Sequence, residues 1–145
     1  MKVKRILATK SGSVITIRPE QPIRDAVALL GQHNIGALVV VAPGSDRPVG
    51  IISERDIIRR AAENEGVFSE SVKDIMTREV ITGVPQDDLI SVMHTMTERR
   101  FRHLPVVDDD KLIGMISIGD VLKAQRDEYR GEIDTLETQI LADEV

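Results

Sequence analysis

Gly50-Ile51-Ile52-Ser53-Glu54-Arg55-Asp56 returns 64 residues later as Gly114-Met115-Ile116-Ser117-Ile118-Gly119-Asp120, an apolar run that reaches Ser-x-x-Asp both times. Such a return marks a duplicated unit, and the rest of the chain supports one. At a shift of 66, Val14-Ile15-Thr16 matches Val80-Ile81-Thr82, Pro19 matches Pro85, and Leu38, Val40 and Val41 match Leu104, Val106 and Val107. The two shifts differ because Ala42-Pro43-Gly44-Ser45-Asp46-Arg47 faces the shorter Asp108-Asp109-Asp110-Lys111. Both are turn-rich stretches, where a change in length costs little. A weaker echo, Val3-Lys4-Arg5-Ile6-Leu7 against Val72-Lys73-Asp74-Ile75-Met76, opens each copy.

Periodicity gives the order of elements within a copy. Ser13–Ile17 is a β-branched run stopped by Pro19 and reads as a strand. Pro22–His33 carries Ile23, Ala26, Val27, Leu29 and Leu30 at helical spacing, with proline at the start, where its missing N–H matters least. Ile35–Val41 and Pro48–Ile52 form a hairpin around Gly44-Ser45-Asp46, and a helix from Glu54 to Asn64 closes the unit. The second copy predicts a strand at Val80–Gly83, a helix at Asp87–Arg99, strands at Phe101–Val107 and Lys111–Ile116, and a helix from Ile118. Each copy is thus β-α-β-β-α. A unit of about 60 residues buries little surface alone, and both hairpin strands read as apolar on two faces. The expected fold is α/β (α+β): repeats at 3–66 and 72–125 packed around a pseudo-twofold axis, with equivalent grooves between them, plus an acidic C-terminal helix or tail at 126–145.

Composition narrows the function. With 145 residues, 41% apolar and 30% charged, the chain has material for one globular domain or two small ones. Its longest apolar run, Ile35–Ala42, falls far short of the roughly 18 residues a membrane span requires. Met1–Lys10 is too short in apolar residues for a secretory signal, so a cytoplasmic location is expected. The absence of cysteine excludes disulfides, thiolate nucleophiles and cysteine zinc sites. The net charge of −5 lies in residues 126–145, where two arginines meet seven carboxylates; the first 125 residues balance at 17 against 17. Phe68, Phe101 and Tyr129 are the only aromatics, too few for a base-stacking nucleic-acid surface. His33, His94 and His103 lack metal-ligand spacing, and His94, between Met93 and Met96, reads as a surface or boundary residue. Asp108-Asp109-Asp110 lacks the glycine and distal glutamate of a calcium loop and reads as a hairpin turn. No phosphate-binding loop, dinucleotide fingerprint, metalloprotease or serine-hydrolase motif occurs, so neither a catalytic residue nor a metal site is expected.

The repeated Ser-x-x-Asp supports two readings. Ser53 and Ser117 cap helices, with Asp56 and Asp120 completing capping boxes. Equally, a helix N-terminus with a hydroxyl and a nearby carboxylate suits a nucleotide, the acid accepting hydrogen bonds from a ribose diol. Together with "IGALVVV", "FRHLPVVD" and "DIMT", the pair "GIISERD" and "GMISIGD" resembles tandem CBS domains, the Bateman regulatory module, over roughly residues 3–125. That resemblance implies ligand sensing rather than catalysis, with two clefts for adenosyl compounds such as AMP, ADP, ATP, NAD(H) or S-adenosylmethionine. One cleft would use Ser117 and Asp120 with Lys10 and the strand edges at Val14, Ile15, Ile35, Gly36 and Ala37. The other would use Ser53, Arg55 and Asp56 with Thr77, Val80, Ile81, Phe101, Arg102 and His103. Adenine would lie between apolar strand residues while backbone groups read its edge.

The clefts differ in charge. Arg99, Arg100, Arg102 and His103 stand where the first copy has His33, Asn34, Gly36 and Ala37, and Gly119 replaces Arg55, so phosphate contacts are expected to be uneven. As the alternative, the arginines are a solvated helix end. Leu122, Tyr129, Ile133, Leu136 and Ile140, with Arg126 between the first two, form a coiled-coil-like stripe that either pairs two copies or folds back on its own domain. The reading is a stand-alone regulatory protein, expected as a homodimer, that signals ligand status to an effector protein in trans, without a membrane or nucleic-acid partner. The competing class is a nucleic-acid-binding or structural interaction protein using Arg99, Arg100 and Arg102.

Overall fold

The computed structural model describes residues 1–10 and 14–143. Its elements are α1 (Val3–Thr9), β1 (Thr16–Ile17), α2 (Ile23–His33), β2 (Ala37–Val41), β3 (Pro48–Ser53), α3 (Glu54–Glu63), a 3-10 turn (Val67–Ser69), α4 (Val72–Ile75), α5 (Leu89–Arg99), β4 (His103–Asp108), β5 (Lys111–Ser117) and α6 (Ile118–Asp143). The mixed α/β architecture, the doubled hairpin and the C-terminal helix agree with the sequence. None of the described helices is long and apolar enough to cross a membrane.

The repeat extends to detail. Helices α2 and α5 both end on a left-handed residue, Asn34 (φ 51°) and Arg100 (φ 57°). Both hairpins are antiparallel, and both slip register at the matching place, Val40/Val41 and Val106/Val107. Pro43 and Gly44 turn the first hairpin, Gly44 at φ 74° and Ser45 N–H bonded to the Ala42 carbonyl. Asp109 and Asp110, both with positive φ, form the tight two-residue turn of the second.

Three expectations need correction. Strand β1 is confined to Thr16–Ile17, parallel to β2, and Ser13 lies outside the described residues. No strand forms at Val80–Gly83: only Gly83 bridges Val106, so the second sheet has two strands. Finally, only the first strand of each hairpin is apolar on both faces; β3 and β5 alternate buried with exposed positions, because one face meets the core and the other solvent.

The segments that open the copies cross over. Val3 and Ile6 of α1 lie in the second core with Leu89, Val92, Met96, Leu104, Val106, Ile116 and Val121. Val72, which opens the second copy, and Val67 just before it lie in the first core with Ile17, Ile23, Leu38, Val40 and Ile52. The backbone links are mirrored: Val72 N–H to Gln21 O and Ile23 N–H to Glu70 O on one side, Val3 N–H to Asp87 O and Leu89 N–H to Met1 O on the other. The crossing chains pass close over a glycine on each side. A Cβ on Gly50 would meet Met76 Sδ at 2.5 Å, and one on Gly114 would meet Leu7 Cδ2 at 2.5 Å. Neither copy completes its core without the other's leader, and this fixes the cleft between them.

Candidate functional site

Each core hands its second hairpin strand directly to a helix, and the junction carries Ser-x-x-Asp. At Ser53 the hydroxyl accepts the Asp56 N–H (3.2 Å) while Asp56 Oδ2 accepts the Ser53 N–H (3.0 Å). At Ser117 the same box closes at 3.1 and 2.8 Å. Both acids therefore serve as caps, and each does so through Oδ2. Asp56 Oδ1 has no hydrogen bond among the described residues and remains available as an acceptor.

Around Asp56 lies a cleft of about 390 Å³ between the repeats. All nine residues that the resemblance assigned to this side line it: Ser53, Arg55, Asp56, Thr77, Val80, Ile81, Phe101, Arg102 and His103. Thr77 is fixed there by a reciprocal backbone pair with Ile51 (3.0 and 2.9 Å). The missing strand at 80–83 explains the cleft's open wall. Ile81 makes no main-chain hydrogen bond among the described residues, so its N–H and C=O form a free edge beside Val80 and Phe101. A chain segment left unpaired beside apolar side chains can read the edge of a flat heterocycle by the bonds a neighbouring strand would otherwise make.

The cleft carries an excess of positive charge. Arg55, Arg59, Arg99, Arg100 and Arg102 converge on it against the carboxylates Glu54, Asp56 and Glu79. None of the five arginines has an ion pair among the described residues, where arginine ion pairs involve Arg47, Arg60 and Arg126. Exposed guanidinium groups without a close carboxylate are free to turn toward an anion placed in the hollow. Arg59 was not singled out from the sequence, yet one turn from Arg55 the like-charge i,i+4 pair was a visible signal. Glu54, Glu79, Ile51 and Pro105 also line the cleft without having been singled out. Arg100 holds a left-handed conformation that Asn34 occupies more cheaply in the first copy, a backbone cost borne where the arginine faces the hollow. His103, half-buried, is held below the usual histidine range chiefly by burial; Glu54 and Asp120 draw it up, Lys10 and Arg102 push it down.

The other side is different. Lys10 Nζ donates to Asp120 Oδ2 (2.9 Å) and to the Met115 carbonyl (2.7 Å). Burial pushes the Asp120 carboxyl up, but the Ser117 N–H and Lys10 together outweigh it and hold the acid below its ordinary range. Lys10 and Asp120 border a wide groove of about 1090 Å³ between α1 and α6, which Val14, Ile15, Ile35, Ala37, Ser117 and Gly119 do not line. Gly36, assigned to this side, instead lines the Asp56 cleft, where a Cβ would lie 3.4 Å from both Glu54 and His103. The structure thus brings together one of the two expected sets and of the other joins only Ser117 and Lys10 to Asp120.

The family model for the CBS domain matches twice, at residues 3–63 and 72–127. The chain belongs to the CBS domain family. Among relatives, a mitochondrial CBS domain-containing protein, CBSX3 of Arabidopsis thaliana, is 42% identical over 133 residues, covering 89% of this chain and 65% of that protein. A CBS-domain containing protein from Agrobacterium tumefaciens superimposes with a TM-score of 0.82 at 36% identity, over 86% of this chain and 99% of the other. The CBS domain pair of protein MJ0100, solved in complex with 5′-methylthioadenosine and S-adenosyl-L-methionine, superimposes with a TM-score of 0.77 at 29% identity, over 88% and 98%. This chain is therefore a CBS domain pair, and one of its structural neighbours binds adenosyl ligands.

Proposed function

We propose that the Asp56 cleft is a regulatory site for a phosphate-bearing adenosine ligand. Asp56 Oδ1 takes the ribose hydroxyls, the free edge at Ile81 reads adenine between Val80 and Phe101, and the arginines take the phosphates. Five arginines without ion-pair partners around one hollow carry this reading. They favour AMP, ADP, ATP or NAD(H) over S-adenosylmethionine, whose sulfonium adds positive charge to an already cationic cleft. The adenosyl ligands of the MJ0100 domain pair support the adenosine half of the assignment. Because the cleft is walled by both repeats, occupancy changes how they pack and thereby the activity of a partner protein. The role is binding, not catalysis. On the opposite side Asp120 is already held by Lys10, so a second ligand must displace that ion pair and binds more weakly.

Calorimetric titration of the protein with AMP, ADP, ATP, NADH and S-adenosylmethionine tests this. The expected result is one tight site for a phosphate-bearing member and weaker binding of S-adenosylmethionine. No heat with any member of the panel overturns the proposal, as does salt-sensitive RNA or DNA binding without a nucleotide response.

A further inference from the structure

We propose that α6 pairs in antiparallel fashion with α6 of a second copy of this chain. Helix α6 leaves the body after Gln125, and from Arg126 to Asp143 every residue is exposed. Along it Leu122, Arg126, Tyr129, Ile133, Leu136, Ile140 and Asp143 follow one another at alternating intervals of four and three, the seam of a two-stranded coil. The apolar members are 53–58% exposed, although Tyr129 and Leu136 border open grooves against α5 and α1. A lone helix of this length is marginal in water without a partner for its apolar stripe.

Charge selects the occupant and its direction. When Ile133 lies opposite the second copy's Leu136, antiparallel pairing sets Tyr129 opposite its Ile140, and Arg126 opposite its Asp143. Arg130 then falls beside its Glu137, so the flanking and terminal charged contacts join opposite signs. A parallel pair would put Arg126 against Arg126, Asp143 against Asp143, and Glu132 beside Glu137, each of them repulsive. Arg130 and Glu137 have no ion pair among the described residues, and Arg126 touches only the neighbouring Asp127, at 3.5 Å. This pairing is independent of the ligand reading.

Sedimentation equilibrium of the full chain should show a dimer. Leu136→Glu, at an exposed position, should shift it to monomer without changing thermal unfolding of the body. Glu137→Arg should weaken the antiparallel dimer about tenfold, and adding Arg130→Glu should restore it. In a parallel dimer Glu137→Arg would instead relieve a repulsion and tighten association. The chain has no cysteine, so single nitroxide labels at Glu128→Cys and Thr135→Cys report directly. Antiparallel pairing separates the two labels along the axis by about 20 Å at the first site and about 2 Å at the second, from the helical rise. Equal distances at both sites, tighter association of Glu137→Arg, or a monomer at high concentration overturns the proposal.

Discussion

Asp56→Asn separates the two jobs given to one side chain. The amide oxygen can still accept the Ser53 N–H, now received at 3.0 Å, so the cap persists and the cost to the free protein should stay below about 1 kcal/mol. The outward edge, however, changes from acceptor to donor, and a ribose diol loses its charged partner. Hydrogen bonds to a charged group contribute about 1.5–3 kcal/mol, which predicts a dissociation constant about 10- to 150-fold higher. At a nucleotide concentration 100 times the parent's dissociation constant, ligand stabilisation should drop from about 2.7 kcal/mol to between about 1.4 and 0.3 kcal/mol. For a chain of this size that is a melting shift of about 8 °C reduced to between about 4 and 1 °C. Thermal unfolding of parent and Asp56→Asn, each with and without the best nucleotide from the panel, measures both quantities. If the asparagine variant keeps the full nucleotide shift, Asp56 is only a cap and the ribose assignment is wrong.

Three further outcomes are expected. Gly50→Ala forces a Cβ against Met76 Sδ at 2.5 Å and the Thr77 carbonyl at 3.2 Å, so chemical denaturation should show a loss of about 1–3 kcal/mol, more than for Gly114→Ala, which meets only the tip of Leu7. Asp110→Gly should raise stability by about 0.4–1 kcal/mol, because Asp110 has φ 62° and gives up only an exposed ion pair with Arg47. The Glu70 carboxyl, bonded by Arg60 at 2.7 Å, and the Asp120 carboxyl are both held below their ordinary values of 4.5 and 3.8. Their stabilisation is complete above those values and is lost as pH falls through the lower folded ones, so melting temperature should decline in acid. Glu70→Gln should flatten part of that decline.

The effect of pH on binding has the opposite sense. Burial keeps His103 neutral near pH 7, and a phosphate anion beside it favours the protonated ring. Nucleotide binding should therefore take up a proton and tighten as pH drops toward 6, which titration in buffers of different ionisation heat would detect.

The duplication, the two hairpins with the helices that flank them and the two capping boxes were legible in the residues, because each rests on short-range periodicity or on spacing within one turn. So were nine of the residues that line the Asp56 cleft, once the resemblance supplied which strand edges face which helix. Contacts between distant segments were not. The echo of Val3–Leu7 in Val72–Met76 marked where each copy starts but not that each leader packs into the other core, since an apolar helix is equally content against either. Val80–Gly83 has the composition of a strand, yet a strand needs a partner along its length, and the fold provides one only at Gly83. That shortfall leaves the free edge at Ile81. The sequence placed Lys10 with Asp120 but could not show that the lysine already bonds the acid, nor that five arginines from α3, α5 and the turn after α5 line one hollow without an ion pair among the described residues. Local chemistry is written along the chain; which charges meet, and which stay unpaired, depends on distances that only the closed pair of repeats defines.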